Sequence, residues 1–197
     1  MEILWPLAGL VTSLLGGAAI TIYTRVNRLV RSRGARAHWL AGAALGTLGM
    51  ALMGCGWALL STAEPRVCVG ALRLPGLLFC LLSLCIYVAS ARWVGRWRSP
   101  ARYSLGLHTA GIYAHVRHPQ ALSLCVLVVG LCLYSGSVPY ILTAPLWLAF
   151  WTAYTFLEER WELIPTFGAE YLRYCQSTPR LLPRLPFRRG TTQGLFR

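Results

Sequence analysis

Hydrophobic positions along the chain come in long unbroken runs, not in alternation. Apolar residues dominate at 3–23, 39–60, 74–91, 119–134 and 140–157, and polar or basic segments separate them. Each run is close to the roughly 20 residues that an α-helix needs to cross the hydrocarbon core of a bilayer. The pattern predicts an all-α polytopic membrane bundle of about five transmembrane helices, followed by a cytoplasmic C-terminal helical segment. Residues 1–197 read as a single integral membrane domain: three spans in 1–103, a hairpin of the fourth and fifth helices within 104–183, and a basic tail over 184–197. Trp5 and Tyr23 bracket the first run as interface aromatics, and Glu2 is its only early charge, so it reads as a retained span and not as a signal peptide. Ser135, Gly136, Ser137 and Pro139 predict a tight turn that makes the fourth and fifth spans antiparallel, with Pro145 as a kink in the latter. In the second run, Gly42 and Gly46 form a small-residue pair that allows another helix to approach closely.

Composition changes this picture little, but charge orients it. Hydrophobic residues make up 56% of the chain and charged ones only 13%, against about 25% in an average globular domain. The basic residues are all Arg and the acids all Glu, for a net charge of +13. Such a charge suits a nucleic-acid partner only on a soluble scaffold, and here it alternates with membrane-length runs. Arg25, Arg28, Arg31, Arg33 and Arg36 follow the first run; Arg92, Arg96, Arg98 and Arg102 follow the third; the tail is basic as well. The intervening loops are poor in Arg. The positive-inside rule then places the N-terminus outside and the C-terminus in the cytoplasm. An Arg-only basic set points to a GC-rich coding sequence and a bacterial inner membrane. The seven cysteines form no C-x-x-C and no zinc-like spacing with His, so they read as packing residues and no metal is expected.

Candidate chemistry lies in two segments that the hairpin returns to one membrane face, 111–122 and 157–183. The second holds four of the six acids, Glu158, Glu159, Glu162 and Glu170. In the first, Arg117-His118-Pro119 reads as the start of the fourth helix, where Pro fits the first turn. Free N–H groups, the helix dipole and Arg117 would there attract an anion; alternatively Arg117 and His118 are headgroup anchors. Glu158 and Glu159, at the expected end of the fifth helix, oppose its dipole. They could hold a cationic ligand, pair with Arg117, or form surface pairs with Arg160 or Arg173. Phe167-Gly168 reads as a helix stop, and Glu170, Tyr171, Arg173 and Tyr174 as a short amphipathic helix ending before Pro179. One segment suits an anion and the other a cation.

The order G-x-Y-x-x-V-R-H-P (from Gly111), an apolar hairpin, E-E-R (from Glu158), F-G-x-x-Y-x-x-Y (from Phe167) and P-R-x-x-P (from Pro179) resembles the isoprenylcysteine carboxyl methyltransferase and phospholipid methyltransferase family of integral membrane enzymes. The resemblance covers about 111–183. It implies S-adenosylmethionine in a cytoplasm-facing pocket and methyl transfer, by in-line displacement, to a lipid-like acceptor entering from the bilayer. By motif position Tyr113, Val116, Arg117, His118 and Pro119 would bind the cofactor from the start of the fourth helix. Glu158 and Glu159 would join them from the fifth. Tyr171, Tyr174 and Arg180 would close the pocket, with Glu159, Tyr174 and Arg180 as the catalytic candidates. Two departures stand out. Ala121 and Ser123 replace a Tyr and a Gly of the family's R-H-P-x-Y-x-G. The spacing from E-E to F-G is one residue longer, as if Trp161 were inserted, which would give Glu159 the role of the first acid. Tyr174-Cys175 also resembles the ending of the sterol reductases, which use a nicotinamide cofactor; a non-catalytic scaffold is the third reading.

Overall fold

Every apolar run forms a helix, because in lipid a backbone N–H can be satisfied only within its own segment or in a closed barrel. The computed structural model describes residues 4–31, 36–97 and 106–183. The helices are α1 (Leu4–Arg31), α2 (Arg36–Thr62), α3 (Arg73–Trp97), α4 (Pro119–Ser135) and α5 (Val138–Glu158), then α6 (Ile164–Phe167) and α7 (Ala169–Ser177). Among the described residues four helices are long and apolar enough to cross a membrane; α4, the expected fourth span, is apolar but has only 17 residues. That length is about 26 Å at 1.5 Å per residue, slightly under a typical core of about 30 Å. The expected basic tail over 184–197, together with Arg33, Arg98 and Arg102, lies outside the described residues.

Three differences from the sequence reading have physical reasons. First, α1 and α3 run past their apolar segments into the basic ones, so Arg25, Arg28, Arg31, Arg92 and Arg96 sit on helix extensions and not in loops. Arg is a good helix former, and its long stem lets the charge leave the apolar zone. Second, the fifth helix does not end near residue 157. It continues through a π-helical turn at Glu159–Leu163 into α6, so Glu158 and Glu159 lie inside a helical column. The dipole penalty expected for them at a C-terminus therefore does not arise. Third, α1 and α2 also come close at positions that the sequence reading did not single out. A Cβ on Gly46 would meet the Tyr23 ring at 3.1 Å, a contact that side chains can relieve. A Cβ on Gly16 would lie 2.5 Å from the Met53 backbone nitrogen, and one on Gly56 would lie 2.1 Å from Ser13 Oγ and 2.5 Å from the Gly9 carbonyl oxygen. Backbone is in the way there, so only Gly fits.

Helix α5 is the central element. Its Tyr140, Ala144, Trp147 and Trp151 are buried against Ile20 of α1, Met53, Trp57 and Leu60 of α2, and Ala121 and Val128 of α4. On the far side α3 packs on α4, where buried Ser83 donates to the Ser123 carbonyl at 2.7 Å. The α4–α5 turn closes with Gly136 at φ 63°, and Ser137 Oγ donates to the Leu60 carbonyl at 2.6 Å. Val67 N–H donates to the Gly136 carbonyl and Val138 N–H to the Pro65 carbonyl, at 2.8 and 2.9 Å. The loop after α2 and the α4–α5 turn therefore share one end of the bundle. The segments 111–118 and 159–180 meet at the other end.

Candidate functional site

The site is assembled by backbone first. Arg117 N–H donates to the Pro179 carbonyl at 2.9 Å, and His118 N–H to the Arg180 carbonyl at 3.1 Å. These two bonds lay the chain after α7 alongside the chain before α4, although about sixty residues separate them. Pro119 then starts α4, as its fixed φ favours. From the adjoining segment, Tyr174 OH donates to the Tyr113 carbonyl.

At the centre is Glu159, only 5% exposed. His118 Nε2 lies 2.9 Å from its Oε1, and Tyr171 OH donates to the same oxygen at 3.0 Å. A guanidinium nitrogen of Arg117 is 3.3 Å from Oε1, and one of Arg180 is 2.5 Å from Oε2. Four side chains from three segments thus converge on one carboxylate. A buried carboxylate is tolerated only with such partners. Glu158, half-buried, receives His118 Nδ1 at 3.2 Å as its one side-chain donor among the described residues, and so keeps most of its acceptor capacity. Burial works against the His118 imidazolium, but its hydrogen bonds to Glu158 and Glu159 and their charges prevail and raise its pKa. Burial also pushes up the phenols of Tyr171 and Tyr174, the latter to about 12 against the opposing charge of Arg117. Both remain protonated donors at neutral pH.

The structure therefore brings together Arg117, His118, Glu158, Glu159, Tyr171 and Arg180. Val116 and Pro119 are buried beside them in the chain. Tyr113 and Tyr174 stand one step back: Tyr174 spends its hydroxyl on the Tyr113 carbonyl, and the Tyr113 ring packs edge-on against His108 at 5.5 Å. In this arrangement the Tyr174 hydroxyl ties α7 to the segment before α4. Arg160 and Arg173, the alternative surface partners for the two Glu, are both exposed. Sequence reasoning missed Phe156, over whose ring the Arg180 guanidinium carbon lies at 3.5 Å. Its signal was present, since Phe156 precedes Glu159 by one helical turn.

The π-helical turn, Glu159–Leu163, falls where the resemblance implies one additional residue. A π turn is how a helix absorbs one inserted residue without turning everything beyond it by about 100°. Trp161 sits at its middle, and its ring faces the Arg25 guanidinium of α1 at 5.3 Å.

Two buried donors at the site have no hydrogen-bond partner among the described residues: Nε of Arg117 and Nε of Arg180. Such donors are costly unless an acceptor arrives. The donor set fits a ligand carrying a carboxylate, and Glu158 fits its cationic end.

No curated protein and no solved structure matches the chain. The family model for phospholipid methyltransferase matches residues 72–168, from the start of α3 to Gly168, and so includes Tyr113, Val116, Arg117, His118, Pro119, Glu158 and Glu159 but not Tyr171, Tyr174 or Arg180. Over these residues the chain is similar to the phospholipid methyltransferase family.

Proposed function

We propose that this protein transfers a methyl group from S-adenosylmethionine to a lipid-like acceptor at the Arg-rich face of the membrane, which we place on the cytoplasmic side. One observation carries the reading: Arg117, His118 and Glu159 of the matched segment, with Arg180 beyond it, form a charge cluster that holds two guanidinium Nε–H groups without a partner among the described residues and sits beside the half-buried carboxylate of Glu158. S-adenosylmethionine, when bound, supplies an electrophilic methyl on a positively charged sulfur.

The chain's own residues would do the rest. Arg117 and Arg180 offer their Nε–H groups to the cofactor's carboxylate. Glu158 offers its acceptor capacity to the ammonium or sulfonium. Glu159 holds the two Arg and His118 in register, and Tyr171 fixes Glu159. The buried setting excludes water, and catalysis rests on positioning and desolvation. A carboxylate or phosphate acceptor would need no base, whereas an amine must first lose its proton. Nothing at the site favours the reductase reading over this one.

Calorimetry on the detergent-purified full chain tests the proposal, with S-adenosylmethionine and NADPH as parallel ligands. Micromolar binding of the former alone is expected. Binding of NADPH alone, or of neither, would overturn it.

A further inference from the structure

The remaining chemistry in the bundle lies where α1 passes α5. A groove of about 400 Å³ opens there, lined by Leu14, Gly17, Ala18, Thr21 and Ile22 of α1 and by Trp147 and Phe150 of α5. The α1 positions recur at i, i+3, i+4, i+7 and i+8, which is one helix face. The next position on that stripe, i+11, is Arg25, within about 20° of the direction of Leu14. The missing side chain at Gly17 makes the groove, since a Cβ there would come within 3.1 Å of the Phe150 ring. Above the groove, toward Arg25, Thr24 Oγ1 and Tyr154 OH join the two helices at 2.8 Å. Arg25, one helical turn beyond the groove-lining Thr21 and Ile22, is exposed and is steered by its contact with Trp161.

We infer that this groove is a lipid-binding site that seats one hydrocarbon chain of a lipid whose anionic headgroup is held by Arg25. Three features select that occupant. Both walls belong to membrane-spanning helices, so the medium supplying the occupant is the bilayer. From Leu14 to Arg25 is about 16 Å along α1, half of a roughly 30 Å hydrocarbon core and so the depth of one leaflet. The single charge on the stripe is positive and sits where a headgroup would be. A guanidinium held over an aromatic ring keeps its edge N–H donors for a phosphate or carboxylate. The inference does not require methyl transfer and stands or falls separately from it.

The test is native mass spectrometry of the detergent-purified full chain, titrated with phosphatidic acid and with phosphatidylcholine of the same chains. Wild type should take up one phosphatidic acid saturably, with at least about tenfold preference over phosphatidylcholine. Ala18→Trp, at an exposed position, should fill the groove and weaken both lipids about tenfold or more. Thr21→Phe serves the same purpose if Ala18→Trp does not insert. Arg25→Gln should erase the headgroup preference and leave phosphatidylcholine binding as it was. Leu82→Trp, on the exposed face of α3, should change nothing. Wild-type binding in the groove-filled variants, a preference that survives Arg25→Gln, or uptake that climbs without a plateau would overturn the site.

Discussion

The α1–α2 seam and the Glu159 cluster are both tight, but for opposite reasons. At Gly16 and Gly56 the helices touch through absent side chains, and the requirement is steric and local. At Glu159 the contacts are three basic side chains and one phenol, from residues 117, 118, 180 and 171. The seam serves only the fold. The cluster buries charge at a cost that hydrophobic packing would avoid. That contrast supports the proposal that the cluster is the functional part of the molecule, and substitutions in the two places should separate cleanly.

The largest effect is expected at Glu159→Gln. It keeps the shape but removes two or more charge-assisted hydrogen bonds of about 1.5–3 kcal/mol each. Calorimetry should show S-adenosylmethionine affinity falling by about a hundredfold or more, with normal membrane insertion. Gly56→Leu should do the reverse. Overpacking costs about 1–3 kcal/mol, so thermal unfolding in detergent should shift down and yield should drop, while the fraction that folds binds the cofactor within about twofold of wild type. A variant that folded well and lost the cofactor would break the comparison. Tyr171→Phe removes one hydrogen bond to Glu159 and should weaken binding roughly threefold to tenfold, on the scale of about 0.5–1.5 kcal/mol for such a bond.

The smallest effect is in the pH dependence. The raised pKa of His118 means that its charged form adds stability. The contribution is complete below the unfolded value of about 6.5 and is lost as pH rises through the higher folded value. Thermal melts of wild type and His118→Gln should therefore converge as pH increases from about 6. Curves that stay parallel would show that folding does not raise the His118 pKa.

Run length made the five apolar helices legible, and a shortage of acids made Glu158 and Glu159 conspicuous. Arg117 and His118 were visible because Pro119 announces a helix start. The continuation of α5 was not legible, since Glu158, Glu159, Arg160 and Glu162 read as a loop by hydropathy. In the structure their backbone stays helical, and the charges of Glu158 and Glu159 are met by partners distant in sequence. The closest contacts, at Gly16 and Gly56, were not singled out because α2 has small residues all along its length, at Gly42, Gly46, Gly49, Gly54 and Gly56. Which of them faces α1 depends on helix rotation, which no local pattern fixes. The bonds from 117 and 118 to 179 and 180 are long-range backbone contacts and leave no mark in composition.

The most direct test of the central claim is methyl transfer itself. Membranes containing the full chain would be incubated with S-adenosylmethionine tritiated in its methyl group, and label would be counted in the organic extract. Label above that of membranes lacking the protein, and its loss in Glu159→Gln, is the predicted result. Equal label with and without the protein, or full activity in Glu159→Gln, would contradict the account.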